Sequence, residues 1–258
     1  MNYYSCVGLS IRDAADVTRL AERAAREGRA LRTEAGLGLR RWELGGGVEL
    51  WAEVGPRGEP LGVLPFFRPP VQHTVAVTAA GADPENAEEG WAEMWLDPSD
   101  PGEPYTGSFP LVCDLVDYLA VAGRLQDLPL VTPVQVVGFV HELRAYRDAL
   151  EWAAVQQQTG FRLPLHTLAS TAHTALDETN PDRPEATAML AGVVREVEAL
   201  ENPLTHARFR SLRVDVGGTD VPLVVPEELS HGLEAGYLVQ AAAWMLARLP
   251  ALEAPEGW

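Results

Sequence analysis

Residues 207–225 read ARFRSLRVDVGGTDVPLVV, and this stretch carries the clearest fold signal in the chain. Apolar and polar residues alternate before Gly217-Gly218 and an apolar run follows at 221–225, and both patterns predict strands. Paired glycines supply the left-handed backbone that a tight hairpin turn requires. We therefore predict an antiparallel hairpin with its turn at these two glycines.

Strand patterns continue on both sides of this hairpin. Upstream, AMLAGVVREVEAL at 188–200 predicts a third strand, with a bend at Asn202-Pro203. Downstream, AGYLVQAAAWMLARL at 235–249 is ambiguous. It is rich in Ala and Leu, which favours a helix, but a closing strand would complete a small barrel. The residues alone leave both interpretations open.

A set of turns and strand residues between Met189 and Leu249 forms a recognisable pattern: Gly192-Val193-Val194, Glu201-Asn202-Pro203-Leu204-Thr205, Phe209, Leu212-Arg213-Val214, Gly217-Gly218, Asp220-Val221, Pro226-Glu227, Gly236 and Trp244. This pattern resembles the C-terminal part of a family of functionally uncharacterised bacterial proteins. In that family an N-P-L-T turn joins two strands of a small barrel similar to an OB fold. The resemblance implies an OB-like barrel and a closing strand at the end of the chain. It implies no catalytic residues.

The N-terminal third predicts a βαββ unit. The run YYSCVGLSI at 3–11 has strand composition, and a helix is expected to open at Arg12-Asp13 and to end near Gly28. The apolar residues of that helix recur with helical spacing at Val17, Leu20, Ala21, Ala24 and Ala25. Two further strands, at 37–44 and 48–54, flank the Gly45-Gly46-Gly47 turn.

The middle of the chain repeats this theme more loosely. TPVQVVGFV at 132–140 predicts a strand, and HELRAYRDALEWAAVQQQ at 141–158 predicts a helix. The polar stretch DETNPDRPEAT at 177–187 predicts a linker. We therefore expect an α+β protein: an N-terminal α/β sandwich at 1–178, interpretable as duplicated ferredoxin-like units at 1–70 and 71–178, followed by a small OB-like β-barrel at 184–258.

Charge narrows the functional classes. The chain has 258 residues and a formal net charge of −17, and all its basic side chains are Arg. No basic residue lies between Arg68 and Arg124, where Asp and Glu are frequent. We interpret this segment as a solvated acidic surface, with a docking face for a basic partner or a calcium site as alternatives. A general nucleic-acid or membrane-surface binder needs a basic face, so both are disfavoured.

The cysteines and the hydropathy pattern bear on location. Cys6 and Cys113 each lie in an apolar run, which is typical of reduced core residues rather than of a disulfide framework. No apolar run is long enough for a membrane span, and the first residues lack the features of a signal peptide. We expect a cytoplasmic protein without membrane partners.

A metal site is the strongest catalytic candidate. His166, Ser170, His173 and Asp177 would share one face of a helix, and two imidazoles with a carboxylate could hold zinc or another divalent metal. The same segment also has strand character, which would separate these side chains. His141-Glu142 starts like a zinc-protease motif, but Ala145 stands where the second His is required.

A single-stranded nucleic-acid site is the second candidate. Arg208, Phe209, Arg210 and Arg213 combine cations with an aromatic ring on one predicted strand, as OB-like barrels do when they bind oligonucleotides. The alternative is a solvated strand face with Phe209 in the core.

The expected function follows from what the sequence contains and lacks. No nucleotide-binding glycine motif, nucleophile elbow or cofactor motif is present in the sequence. We expect a non-enzymatic binding or interaction protein, with an unknown protein partner or self-association. The alternatives are a metal-dependent hydrolase using His166, His173 and Asp177, and a single-stranded nucleic-acid binder.

Overall fold

The computed structural model describes residues 2–33, 36–159, 163–173 and 183–253, and within these ranges the protein is mainly β-structure. Two sheets hold the strands, and the α-helices of the described part are α1 (Ala14–Glu27), α2 (Tyr118–Val121) and α3 (Ala149–Thr159). The predicted α/β sandwich of ferredoxin-like units followed by an OB-like barrel is wrong, because most strands join one nine-stranded sheet.

The smaller sheet, here called the N-terminal sheet, is an antiparallel meander. Its strands follow chain order: β1 (Arg29–Leu31), β2 (Gly38–Gly45), β3 (Val48–Val54) and β4 (Pro60–Phe67). The predicted helix precedes it. Asp13 caps α1 by accepting a hydrogen bond of 2.9 Å from the Asp16 N–H, and Gly28 is the C-cap. The 45–47 turn joins β2 and β3, which confirms the predicted hairpin.

The larger sheet contains the remaining strands. In chain order these are β5 (His73–Ala82), β6 (Gly90–Leu96), β7 (Pro110–Leu115), β8 (Leu130–Tyr146), β9 (Thr167–Ser170), β10 (Thr187–Glu201), β11 (Arg208–Asp215), β12 (Asp220–Pro226) and β13 (Leu238–Arg248). Strands β8 and β13 pair antiparallel along all of β13, from Leu238↔Tyr146 to Arg248↔Gln135.

The pairings close this sheet into two five-stranded rings that share β8 and β13. One ring runs β5-β6-β7-β13-β8 and the other runs β10-β11-β12-β8-β13. Each ring contains one parallel pairing, β7 with β13 or β12 with β8, and its other pairings are antiparallel. The strands after residue 184 therefore complete a ring only with β8, which comes from the middle of the chain.

The unit β10–β13 repeats the strand-pairing scheme of the unit β5–β8. The sequence retains traces of it: PLV recurs at 110–112 and 222–224, and Val-Gln followed four residues later by an aromatic recurs at 134–139 and 239–244. Both initial strands also carry a bulge, after Val77 in β5 and after Val194 in β10. The two repeated units therefore cover residues 73–146 and 187–248, whereas the sequence suggested units at 1–70 and 71–178.

The N-terminal sheet packs on the larger sheet through an apolar layer. Trp51 and Phe66 from the N-terminal sheet are fully buried in the same cluster as Phe139 and Phe209 from β8 and β11. A second cluster, built from residues of β5 to β13, is the core of the larger sheet. Cys6 and Cys113 are free and buried, as predicted.

Two predicted elements differ from the structure. The run at 3–11 begins with a 3-10 helix, Tyr3–Val7, instead of a strand. Asn202, which is fully buried, holds it by donating to the Val7 carbonyl over 2.6 Å. The predicted helix at 141–158 begins only at Ala149, because β8 continues through Tyr146 in register with β13. The ambiguous segment at 235–249 contains β13 and is therefore a strand.

Candidate functional site

A cleft of about 510 Å³ opens where the two repeats meet the N-terminal 3-10 helix. Its walls come from Tyr3, from the loop after β5, from Asp114 of β7, from residues 183–187 at the start of β10, and from Trp244 of β13. This volume is in the range of small-molecule binding sites. Four of its lining residues are acidic and one is basic: Asp83, Glu85, Asp114 and Glu185 against Arg183.

Asp114 and Trp244 both line the cleft and contact each other. The Trp244 Nε1–H donates a hydrogen bond of 2.7 Å to Oδ2 of Asp114. The parallel pairing of β7 with β13, at Asp114↔Leu246, places the two side chains together. Burial raises the pKa of Asp114 to about 6, the indole hydrogen bond lowers it in part, and the negative charge of Glu89 adds to the rise.

Arg183 forms an ion-paired group with acidic side chains from the β5–β6 loop and from β7. Its guanidinium contacts the carboxylate of Asp83, and its Nη2 lies 3.6 Å from Oε2 of Glu89 and 3.7 Å from Oδ1 of Asp114. Burial lowers the pKa of Arg183, but from a value high enough to keep it charged. The Arg183 side chain remains 35% exposed, so solvent reaches it from the cleft.

Asp83 is fixed independently of Arg183. Its Oδ1 accepts hydrogen bonds from the backbone N–H groups of Glu85 (2.7 Å) and Asn86 (3.1 Å). The loop is closed by the Asp83 N–H, which donates to the Glu89 carbonyl over 2.8 Å. This short loop therefore presents the second carboxylate oxygen of Asp83 toward the cleft with little freedom.

Aromatic rings form one wall of the cleft. The Tyr3 ring centroid lies 4.8 Å from that of Trp244 and 5.9 Å from that of His141. Nδ1 of His141 is buried and has no hydrogen-bond partner among the described residues, and burial lowers the pKa of this imidazole. Ring faces beside carboxylates are a typical environment for an organic cation.

Further acidic side chains lie behind the loop. Glu53 of β3 is only 6% exposed, and burial raises its pKa to about 8, with the charges of Glu89 and Glu88 adding to the rise. Burial and Glu88 also raise the pKa of Glu89. The acidic loop thus lies between the N-terminal sheet and the cleft, with the carboxyl groups of Glu53, Glu88 and Glu89 close to one another.

The helix that would bring His166 and His173 to one face does not form, because strand β9 lies between them and His173 ends a 3-10 helix, Thr171–His173. His166 is exposed in a turn, with a left-handed φ of 64°, next to Gly217. Strand β9 follows it, and His173 lies beyond that strand with Nε2 at 3.5 Å from Oε1 of Glu93. Asp177 lies outside the described residues. Within the described ranges, no three His, Cys, Asp or Glu side chains are grouped to hold a metal ion.

The predicted nucleic-acid residues lie together on β11, but the side chains of Phe209, Arg210 and Arg213 make other contacts within the protein. Phe209 is 1% exposed and packs against Phe67 at 6.0 Å, so its ring does not face solvent. Arg213 pairs with Glu196 and Asp220, and Arg210 donates to the Leu233 carbonyl. Arg208 is exposed.

Sequence reasoning did not identify the cleft. Asp83, Glu89 and Asp114 belong to the acidic segment that the sequence suggested was solvated surface, yet Asp83 is 4% exposed. Tyr3, Arg183 and Trp244 carried no motif that would join them to these acids. The one available signal is the absence of basic residues between Arg68 and Arg124, which leaves the carboxylates without local partners.

No protein-family model matches the chain, and no curated protein matches it. Among the described residues, no helix has the length and apolar character needed to span a membrane. The function is therefore argued from the geometry of the cleft.

Proposed function

We propose that this is a non-enzymatic binding protein whose cleft takes a small organic cation. The observation that carries the proposal is that the Asp83 and Asp114 carboxylates line an open cleft whose other wall is aromatic. Both carboxylates and that of Glu89 converge on the Arg183 guanidinium. The ligand's charged head would lie against the carboxylates, and its apolar stem would lie against Tyr3 and Trp244.

The charge balance of the cleft supports a cationic ligand. Its four acidic residues exceed its single Arg, and the raised pKa of Asp114 reflects carboxylates whose burial is incompletely compensated. A bound cation would relieve this repulsion in a site where water screens less than in bulk solvent. An anionic ligand would add to it.

The geometry of Asp114 supports binding over catalysis. Its Oδ2 accepts the Trp244 indole hydrogen bond and its Oδ1 faces Arg183, so both oxygens are engaged. A general acid or base needs an oxygen within hydrogen-bond reach of the reacting group. A carboxylate held from both sides is better suited to orienting a ligand's charge.

Isothermal titration with two near-isosteric ligands tests this proposal. N-acetyl-arginine amide carries a guanidinium, whereas N-acetyl-citrulline amide carries a neutral urea of the same shape. We expect the arginine compound to bind at least about tenfold tighter, which corresponds to about 1.4 kcal/mol. Asp114→Asn should weaken its binding, and Glu103→Gln, an exposed acid outside the cleft, should leave it unchanged.

Two results would overturn the proposal. One is equal binding of the two ligands, which would show that charge is not recognised. The other is saturable binding that Asp114→Asn does not alter, which would place the site elsewhere. Arginine-containing peptides form a further arm: binding of peptides alone would replace a small-molecule ligand by a protein partner.

A further inference from the structure

We infer that the Arg183 side chain occupies a guanidinium subsite of the cleft and that an incoming ligand must displace this side chain to bind. This inference rests on the proposed function and names both its ligand class and its regulation. The Arg183 guanidinium already shows which chemical group the three carboxylates fit, since Asp83 and Glu89 of the β5–β6 loop and Asp114 of β7 all pair with it.

The carboxylates that bind this guanidinium keep their positions when the Arg183 side chain leaves. Asp83 is held by two backbone N–H groups of its own loop, and Asp114 is held by the Trp244 indole. Neither carboxylate depends on Arg183 for its position. A site preorganised in this way can exchange one guanidinium for another without rebuilding its walls.

Arg183 itself is placed to leave. It lies before the first residue of β10, outside any strand, and about a third of its side chain is exposed. Its partners Asp83 and Asp114 are largely buried, so releasing Arg183 alone would leave their charge uncompensated. An incoming guanidinium avoids this cost because it replaces the charge of Arg183.

The displacing group must replace both the charge and the shape of Arg183. Removing the guanidinium alone would leave three carboxylates facing one another, so a neutral ligand gains nothing by entering. A guanidinium offers a planar fork of donors that can bond two carboxylates at once, whereas an alkylammonium is a point charge on a flexible stem. The subsite should therefore prefer alkylguanidines to alkylamines.

This arrangement makes Arg183 an internal competitor. While it occupies the subsite, only the fraction of molecules with the side chain released can bind, and the apparent affinity falls by that fraction. Arg183→Gln removes the competitor and keeps a polar side chain of comparable reach. We expect N-acetyl-arginine amide to bind Arg183→Gln at least about tenfold tighter than the wild type.

Matched variants give this experiment its controls. Arg195→Gln removes an arginine that pairs with Asp215, away from the cleft, and should leave the affinity unchanged. Arg183→Lys keeps the charge but loses the fork, and should give an affinity between those of the wild type and Arg183→Gln. Urea unfolding of each variant establishes that it is folded before titration.

The outcomes separate this inference from the proposed function. Tighter binding by Arg183→Gln supports both. Equal or weaker binding by folded Arg183→Gln, with the wild type binding well, overturns the competitor role and leaves the cation site intact. Failure of both the wild type and Arg183→Gln to bind alkylguanidines and alkylamines overturns both.

Discussion

The indole N–H of Trp244 and the carboxylate of Asp114 join the two repeats of the large sheet through a hydrogen bond of 2.7 Å. Asp114 belongs to the first repeat and Trp244 to the second, and the two residues are 130 positions apart in sequence. The Cα partner of Trp244 across β8–β13 is Phe139, its counterpart in the sequence repeat. The candidate site therefore lies at the junction of the repeats.

Trp244→Phe should weaken both folding and cation binding. The substitution keeps an aromatic ring but removes the N–H that donates to Asp114. Leaving a buried carboxylate without a hydrogen bond typically lowers the free energy of unfolding by about 1–3 kcal/mol. We expect the free energy of unfolding to fall by about that amount in urea titrations. The affinity for N-acetyl-arginine amide should fall as well, because Asp114 is no longer oriented.

Trp95→Phe is the matched control for this substitution. The Trp95 Nε1 is buried and has no hydrogen-bond partner within the described ranges, so the same change removes no hydrogen bond there. Equal destabilisation by the two variants would contradict the importance of the Trp244–Asp114 contact.

Cation binding should depend on pH through Asp114. Because its pKa is raised to about 6, this carboxyl is ionised above pH 6 and becomes neutral as the pH falls through 6. Glu89 and Arg183 face it, so the measurement is best made in Arg183→Gln, where the competing guanidinium is absent. Loss of the Arg183 cation raises the pKa of Asp114 further, so we expect the affinity to fall by up to about tenfold per pH unit below the pKa that Asp114 has in this variant.

The Asp114→Asn change in the same background should flatten this profile between pH 5 and 7. An affinity that still falls with acidification in that double variant would assign the titration to another carboxylate of the acidic loop.

Glu53→Gln should stabilise the protein at alkaline pH. The pKa of Glu53 rises from 4.5 to about 8 on folding, so the folded state binds more protons than the unfolded state between these values. Stability therefore decreases as the pH rises through this window, and the full cost is reached above pH 8. Gln fixes the neutral form and should raise the free energy of unfolding at pH 9 by about 1–3 kcal/mol.

Urea titrations at pH 5 and pH 9 check this sign. At pH 5 the variant and the wild type should differ little, because Glu53 is already protonated in the folded state. Glu22→Gln, on the exposed face of α1, should show no such pH dependence. A Glu53→Gln variant less stable than the wild type at pH 9 would mean that the ionised carboxylate is stabilising.

Asn202→Ala should release the N-terminal 3-10 helix that carries Tyr3. The buried Asn202 side chain donates to the Val7 carbonyl and accepts from the N–H groups of Leu204 (2.8 Å) and Thr205 (3.2 Å). Loss of these bonds should cost about 2–4 kcal/mol. Thr205→Val removes the hydroxyl that donates to the Gly8 carbonyl and accepts from the Ala207 N–H. Because Thr205 is exposed, this change should cost less, and a larger loss there would contradict this order.

Local structure was predictable wherever it depends on neighbours in sequence. The hairpin at 207–225 forms as predicted, with β11 and β12 paired from Asp215↔Asp220. Asp215 also accepts hydrogen bonds from the N–H groups of Gly217 and Gly218 in the turn. The helix α1 buries Leu20, Ala21 and Ala24 of its predicted face.

Prediction failed, or left two alternatives open, where tertiary pairing overrides propensity. The Ala-rich run of β13 is a strand because β8 and β10 pair with its two edges. Small side chains suit that position: Ala243 lies close to Gly138 on the neighbouring strand, where a larger pair would collide. Residues 141–146 have helical spacing, yet they extend β8 because β13 offers them hydrogen bonds along its whole length.

The sequence by itself determined the hairpins, the first helix, the buried cysteines and the acidic character of the chain. These depend on alternation, on turn residues and on charge, which act over a few positions. The tertiary structure alone decided that β8 and β13 are shared by two rings, and hence that Tyr3, Asp83, Asp114, Arg183 and Trp244 line one cleft. The physical reason is that ring closure depends on parallel pairings between strands distant in sequence, which no local pattern records.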